Sequence, residues 1–452
     1  MTFRSKPIKS LFSALILVSF VAVPTFKSQA QLTHLPGYRA NTMPVEFNDA
    51  ANRFGFLYQS GTGLEIGVFE DWPPTTPVTS IRPPGWSIML SEYKKHGHVD
   101  GTPLIPFNNK LYFDAFSSST HALWGTDGTV PGTNMITDTI SDQKQFQVFK
   151  NHLYFQASGE SFSPPKQELF RMDASENVEL FGDLLPYANY GNASGTPGLV
   201  TGSWPAFPCV VGDNMYFVAL QQDFFCLNSK ATADIEPWVT DGNTVQMLAD
   251  INQQVTSGGG QLTGSMSWAT SNSEPFRFVD IGGGRAAFLA DDIGGQTTSG
   301  CSTVPVNYQL YITDGTTAGT QRVTSLGYPT PGLGCVGSAS VHYHNGDVYF
   351  IADEGTGLNQ QLYKYNVASG TTTRLTSFNT PSSAFDPGIH FIGRFTNFCS
   401  SGEHVYFRMD SLPTSQRGAL ICKSDGTVAG TEIAVDNTKL NADIGGGNHG
   451  ID

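Results

Sequence analysis

Three stretches of this chain are near-copies of one another. Residues 123–133 read Leu-Trp-Gly-Thr-Asp-Gly-Thr-Val-Pro-Gly-Thr, residues 310–320 read Leu-Tyr-Ile-Thr-Asp-Gly-Thr-Thr-Ala-Gly-Thr, and residues 421–431 read Ile-Cys-Lys-Ser-Asp-Gly-Thr-Val-Ala-Gly-Thr. Weaker copies lie at residues 168–173, 237–242 and 361–366. A repeated unit cannot bury its apolar face alone and must stack on its neighbours, so the repeat restricts the chain to a solenoid, a propeller or a similar array. Ahead of each copy runs a second pattern, a short strand carrying two aromatics and a small residue, as in Leu111-Tyr112-Phe113-Asp114-Ala115, Leu153-Tyr154-Phe155-Gln156-Ala157, Met215-Tyr216-Phe217-Val218-Ala219 and Val348-Tyr349-Phe350-Ile351-Ala352. Residues 286–290 and 405–409 are variants, and Phe56-Leu57-Tyr58-Gln59-Ser60 opens a divergent first unit.

This makes about seven units of roughly 55 residues, somewhat longer than the usual propeller period. Each supplies four strand candidates, in the second unit at 103–107, 110–115, 122–126 and 133–140. Asn108-Asn109 and Asn345-Gly346 suit tight hairpins, because Asn and Gly tolerate the positive φ such turns demand. The expected fold is therefore all-β, a β-propeller of about seven four-stranded antiparallel blades over residues 31–436. Many glycines and few charged residues agree with sheet rather than helix.

The units resemble the E-L-W-x-x-D-G-T repeats of secreted and surface-exposed bacterial proteins. Glu168-Leu169-Phe170 and Glu236-Pro237-Trp238 come nearest to the leading Glu-Leu-Trp, whereas Ala122-Leu123-Trp124 and Gln309-Leu310-Tyr311 lack the acid. The resemblance covers nearly all of the chain after its first thirty residues and implies a propeller-like fold and an exported location, with no settled enzymatic activity.

Residues 1–30 read as a secretory signal: Arg4, Lys6 and Lys9, then an apolar run at 11–23, then Ser28-Gln29-Ala30 as a small-residue cleavage site. The run is short for a membrane span, which needs roughly 20 residues, so no membrane insertion is expected. The product is expected to be secreted, extracellular or periplasmic, or at the cell surface. Loss of Arg4, Lys6, Lys9 and Lys27 with the signal takes the formal charge from −14 to −18. So acidic a chain is a poor ligand for nucleic acid or an anionic membrane. Residues 437–452 form a Gly-rich tail. Six cysteines, Cys209, Cys226, Cys301, Cys335, Cys399 and Cys422, suit an oxidising compartment; of fifteen pairings the three sequential ones are expected.

The repeated Asp127, Asp241, Asp314 and Asp425 invite a calcium reading, but each is followed by Gly and Thr (or Asn) rather than by further acids, so each Asp is expected to cap its own turn. Trp124, Phe170, Trp238, Tyr311 and Tyr363 occupy one equivalent position and are expected to pack between sheets. In an antiparallel meander the first-to-second and third-to-fourth turns share one face of the disc, and the remaining connections share the other. The long segments 72–102, 156–167, 186–208, 221–236, 252–276 and 291–308 all fall on that second face. Loops on a rigid scaffold are where recognition is usually placed. The candidate ligand-binding aromatics there are Trp72, Trp86, Tyr187, Tyr190, Trp204, Phe224, Phe225 and Trp268; rings beside acids and amides suit a sugar. His96 and His98 with Asp100, and His342 with His344, have an i, i+2 spacing able to hold a metal, although solvated or turn-capping histidines are commoner in such places.

There is no G-x-S-x-G elbow, no H-E-x-x-H and no phosphate-binding loop, and Gly282-Gly283-Gly284 sits at a hairpin turn. No cofactor is expected. The sequence thus points to a recognition or scaffold module for a glycan or an extracellular protein. An extracellular carbohydrate-active enzyme with acids at the central channel, and a structural surface or matrix component, stand as alternatives. Oligomeric state is left open.

Overall fold

The computed structural model describes residues 39–40, 45–48, 51–61, 63–70, 79–89, 93–95, 98–100, 104–118, 120–159, 167–184, 202–225, 231–251, 268–269, 276–291, 296–297, 305–306, 308–326, 330–331, 341–353, 360–377, 398–411 and 418–436. The signal at 1–30 and the tail at 437–452 lie outside them, as do Trp72, Tyr187, Tyr190, His96, Cys226, Cys301 and Cys335.

The fold is a β-propeller of seven antiparallel meander sheets, as the repeat predicts. Five blades have four strands each. In blades 1 and 2 the first position is split between two short segments, Arg39–Ala40 with Val45–Asn48, and Ser87–Ile88 with Ile105–Phe107. Blade 2 continues through Lys110–Ser117, Thr120–Thr126 and Thr133–Thr137, and blade 3 through Ile140–Phe149, His152–Gly159, Gln167–Asp173 and Val178–Gly182. The first strands of successive blades touch, which puts the first strand innermost and the fourth at the rim. Among the described residues no helix is long and apolar enough to cross a membrane.

The Tyr-Phe pair of each second strand explains why the blades stack. Neighbouring side chains on a strand point to opposite faces. Phe113 therefore packs toward blade 1 and Tyr112 toward blade 3, Phe155 toward blade 2 and Tyr154 toward blade 4, and Phe217 toward blade 3 and Tyr216 toward blade 5. All six of these rings are buried. Trp124, Phe170, Trp238, Tyr311 and Tyr363 join the core shared with the preceding blade, as expected of the repeated aromatic.

The rest of the motif is turn chemistry. Asp127 Oδ1 accepts from the Thr129 amide (2.9 Å) and hydroxyl (2.7 Å), the Thr129 hydroxyl accepts from the Gly132 amide (3.0 Å), and the Thr126 and Thr133 hydroxyls bond each other at 2.8 Å. The same bonds recur at Asp314 and at Asp425. The Thr316 hydroxyl and amide hold the Asp314 carboxyl below its ordinary range, and amides of Thr244 and Asn243 bring Asp241 down to about 2. Turn capping thus accounts for every repeated Asp. A Cβ at Gly430 would overlap the Asp425 carboxylate. Gly430→Ala is therefore expected to cost about 1–3 kcal/mol as local overpacking; an unchanged urea midpoint would show that the carboxylate swings aside freely.

These turns also reach the preceding blade. Arg53 donates to the Asp127 carbonyl (3.1 Å), Lys150 to the Asp241 carbonyl (2.8 Å), and Arg171 to the Gly242 carbonyl (2.9 Å). Lys110 and Tyr112 both donate to Glu176 in the corresponding turn of blade 3 (2.7 and 2.9 Å). Gly315 lies against Tyr216, and Gly426 against Tyr349 and Lys364.

In blades 3 to 6 an acid or amide on the third strand pins the chain as it leaves the outer strand. Glu168 Oε2 accepts from the Leu184 amide (3.1 Å) and the Ser203 hydroxyl (2.6 Å), and Glu236 Oε2 from the Ile251 amide (3.0 Å). Gln309 Oε1 accepts from the Leu326 amide (3.2 Å) and the Thr324 hydroxyl (2.8 Å), and Gln361 Oε1 from the Thr376 hydroxyl (2.7 Å).

One disulfide expectation is corrected. Cys399 lies opposite Tyr406 and Cys422 opposite Phe407, so a whole strand separates them. Two strand spacings are about 9–10 Å, beyond the roughly 7 Å that a disulfide spans between Cα atoms. No disulfide holds Cys209, Cys399 or Cys422 in this structure. Burial pushes the Cys209 and Cys422 thiols up to about 11.

Candidate functional site

The two faces of the disc differ as the strand order requires. The first-to-second turns are short throughout, with two residues between strands in five blades and no more than five in any. Asn108 and Asn109 have φ of 48° and 62°, and Asn345 and Gly346 of 49° and 86°, the backbone expected of such hairpins. On the other face the long segments pair with one another. Trp268–Ala269, from the connection into blade 5, pairs with Gln296–Thr297, which lies between the second and third strands of that blade. Pro305–Val306, from the same segment, pairs with Thr330–Pro331 in the connection into blade 6. A further ribbon joins Tyr93–Lys95 to His98–Asp100. In blade 4 the second and third strands run on as Asn214–Phe225 and Ala231–Thr240, past an irregularity at 220–222. Phe224 and Phe225 are thus strand residues opposite Thr232 and Ala231, not loop residues as the sequence suggested, because the antiparallel register continues beyond the disc.

At the junction of blades 2 and 3 two connections on this face are short, a gap in the run of long segments along the chain. Only residues 118–119 link the second and third strands of blade 2, and only residues 138–139 link blade 2 to blade 3. The gap opens on a cluster of polar side chains. Asp114, on the second strand of blade 2, is 1% exposed and faces blade 3. Its carboxylate meets Nδ1 of His121, across the hairpin, at 3.1 and 3.4 Å. Phe116 stacks on the His121 ring, centroids 6.1 Å apart and planes 29° apart. From the innermost strand of blade 3, Lys144 donates to Asp142 (2.7 Å), which also accepts from Gln167 (2.8 Å); Gln156 in turn donates to Gln167 Oε1 (2.8 Å). Asp142 and Gln145 take positive φ, 57° and 58°, where the strand register slips. Lys144 Nζ lies 5.9 Å from the centre of the Trp204 ring. Burial raises the Asp114 carboxyl to about 7, opposed by the His121 imidazole.

Of the sequence candidates, the structure brings Trp204 within reach of Lys144 of this cluster, while the same ring, half-buried, also packs against the apolar core of blades 4 and 5. The Trp86 ring instead packs on Trp124 (5.8 Å) against the core of blades 1 and 2, an anchoring role. Trp268 lies in the ribbon above blade 5, far along the chain from the gap. His98 and Asp100 lie on a ribbon strand, and among the described residues no three His, Cys, Asp or Glu side chains assemble a metal site. His342 stacks on His344 (6.5 Å) and on Phe398 of the next blade (6.0 Å), a packing arrangement; its pKa is lowered by burial and by His344. Sequence reasoning missed Asp114, His121, Asp142 and Lys144. The available signal was Asp114 itself, a carboxylate in a strand position where other blades carry Gln156, Val218 or Ile351.

No family model matches the chain, and no curated protein matches it. Among solved structures it is similar to a mutant puromycin hydrolase (10% identity, 88% of this chain and 54% of that one, TM-score 0.41). A puromycin-hydrolyzing peptidase of Mycobacterium tuberculosis gives 10% identity, 88% and 55% coverage and a TM-score of 0.40. The β-propeller domain of the Trilobed protease from Pyrococcus furiosus gives 12%, 85% and 95%, with a TM-score of 0.33. The chain spans about half the length of the first two. At scores this low the likenesses add nothing to the sheet topology, and what those proteins act on is not carried over to this chain.

Proposed function

We propose that this protein is a recognition module of the secreted E-L-W-x-x-D-G-T type, binding a glycan on the elaborated face at the gap between blades 2 and 3. The observation that supports the reading most is the asymmetry of the disc. One face has only short turns, while among the described residues the other carries paired ribbons at 93–100 and at blade 5 and short links beside the Asp142–Lys144 pair, near which the Trp204 ring lies. An aromatic face beside fixed acceptors and donors matches a sugar's apolar ring face and its hydroxyls. The test is a glycan array with the purified protein, with calcium and with a chelator. Retention of a defined glycan in both conditions is expected, and Trp204→Ala should weaken it at least tenfold, the loss typical of a buried aromatic anchor. Equal retention by the variant would move the site away from the gap. Absence of any retained glycan would overturn the glycan reading in favour of a protein partner.

A further inference from the structure

The gap also holds an arrangement that binding alone does not require. Asp114 is almost wholly buried, at 1% exposed, and among the described residues its side chain bonds Nδ1 of His121, which is itself 26% exposed on its side chain. A carboxylate on Nδ1 fixes the tautomer, so the proton sits on Nδ1 and the lone pair on Nε2. The Phe116 ring fixes the plane. Nε2 makes no hydrogen bond among the described residues. The charged groups near the pair are Asp142 and Lys144, one acid and one base, themselves bonded to each other.

We infer that His121, oriented by Asp114, is a general base that hydrolyses a neutral ester, such as an acyl group on a saccharide, at the gap between blades 2 and 3. His121 Nε2 takes a proton from a water as the water oxygen bonds to the ester carbonyl carbon. The tetrahedral alkoxide re-forms the carbonyl by expelling the alcohol oxygen, and that oxygen takes the proton back from Nε2. Ester and water become acid and alcohol, and the ring returns to its starting state with no other co-reactant. One base serves both transfers. Cleavage of a glycosidic bond would need a second carboxyl group free to act, and Asp142 is already engaged by Lys144 and Gln167. The balanced charges of the cluster, in a chain of formal charge −14, favour an uncharged substrate. Burial raises the Asp114 carboxyl to about 7, so the carboxylate that sets this tautomer, and with it the base, is present above about pH 7 and is lost below it.

The test is hydrolysis of p-nitrophenyl acetate and of an O-acetylated neutral polysaccharide by the wild type, His121→Gln, Asp114→Asn and His152→Gln, the last a histidine on the opposite face. His121→Gln should lower kcat/KM at least 100-fold, and Asp114→Asn at least tenfold with a displaced pH limb, while His152→Gln leaves it unchanged. Carbethoxylation of His121 in the wild type, followed by peptide mass, should remove hydrolysis in step with modification, a readout that does not depend on a variant folding. Wild-type rates no higher than those of His121→Gln, or activity that survives full modification of His121, would overturn the inference. The inference shares its location with the glycan reading but not its fate: a His121→Gln protein that still retains glycan but has lost hydrolysis upholds both, whereas retained glycan without any wild-type hydrolysis overturns the esterase alone.

Discussion

Glu168→Ala is expected to destabilise the protein by about 3–5 kcal/mol, and Glu168→Gln by much less. Glu168 is 0% exposed and accepts from the Leu184 amide and the Ser203 hydroxyl. Truncation leaves the Leu184 amide without an acceptor and the Ser203 hydroxyl with only the Gln167 carbonyl at 3.5 Å, each loss costing about 1–3 kcal/mol, and opens a cavity where the buried side chain was. Glutamine keeps the acceptor oxygen, and blades 5 and 6 already use Gln309 and Gln361 at this position for the same purpose. Calorimetric unfolding of the two variants separates the possibilities. If Gln were as damaging as Ala, the charge rather than the acceptor would matter, and the equivalence between acid and amide blades would fail.

The second large effect is a pH dependence centred on Asp114. Its carboxyl is raised from 3.8 to about 7, chiefly by burial, with the His121 charge and hydrogen bond acting the other way. Between these values the folded protein holds a proton that the unfolded chain releases, so stability falls as pH rises. The contribution is fully present below about pH 4 and gone above about pH 7. A shift of this size corresponds to about 4 kcal/mol, at 1.36 kcal/mol per unit, as an upper bound. Wild-type protein should therefore gain on Asp114→Asn as the pH is lowered from 8 to 4. Urea unfolding of both across that range measures the difference. Parallel profiles would mean that the Asp114 proton does not move on folding.

The fold was legible because the sequence states it several times over. Tyr112-Phe113 and Tyr154-Phe155 each announce a strand buried on both faces, and the Asp-Gly-Thr run specifies a turn down to individual hydroxyls. The split first strands of blades 1 and 2 were not legible, since Ser87–Ile88 and Ile105–Phe107 are too short to carry an alternation and acquire meaning only beside Lys110–Ser117. The face of the disc that bears the candidate site followed from strand order alone. Its residues did not. Asp114 and His121 meet because a hairpin folds them together, and Asp142 and Lys144 arrive from the next repeat, so no local spacing links the four. Aromatic content was the wrong guide for Trp86, whose ring completes a core, and cysteine order was the wrong guide for Cys399 and Cys422, which an intervening strand separates.

The hydrogen bonds from Arg53, Lys110, Lys150 and Arg171 all run from one blade to the turn of the blade that follows it in the chain. Every such contact is made when a newly produced turn settles on a sheet whose residues precede it. A chain emerging from its amino terminus, whether from a ribosome or through a narrow translocation pore, can thus build the disc one sector at a time, each finished sheet acting as the template on which the next one docks. Assembly of this kind is vectorial. It implies that a defect in an early blade obstructs everything after it, while a defect in the last blade leaves a shorter, partly ordered fan.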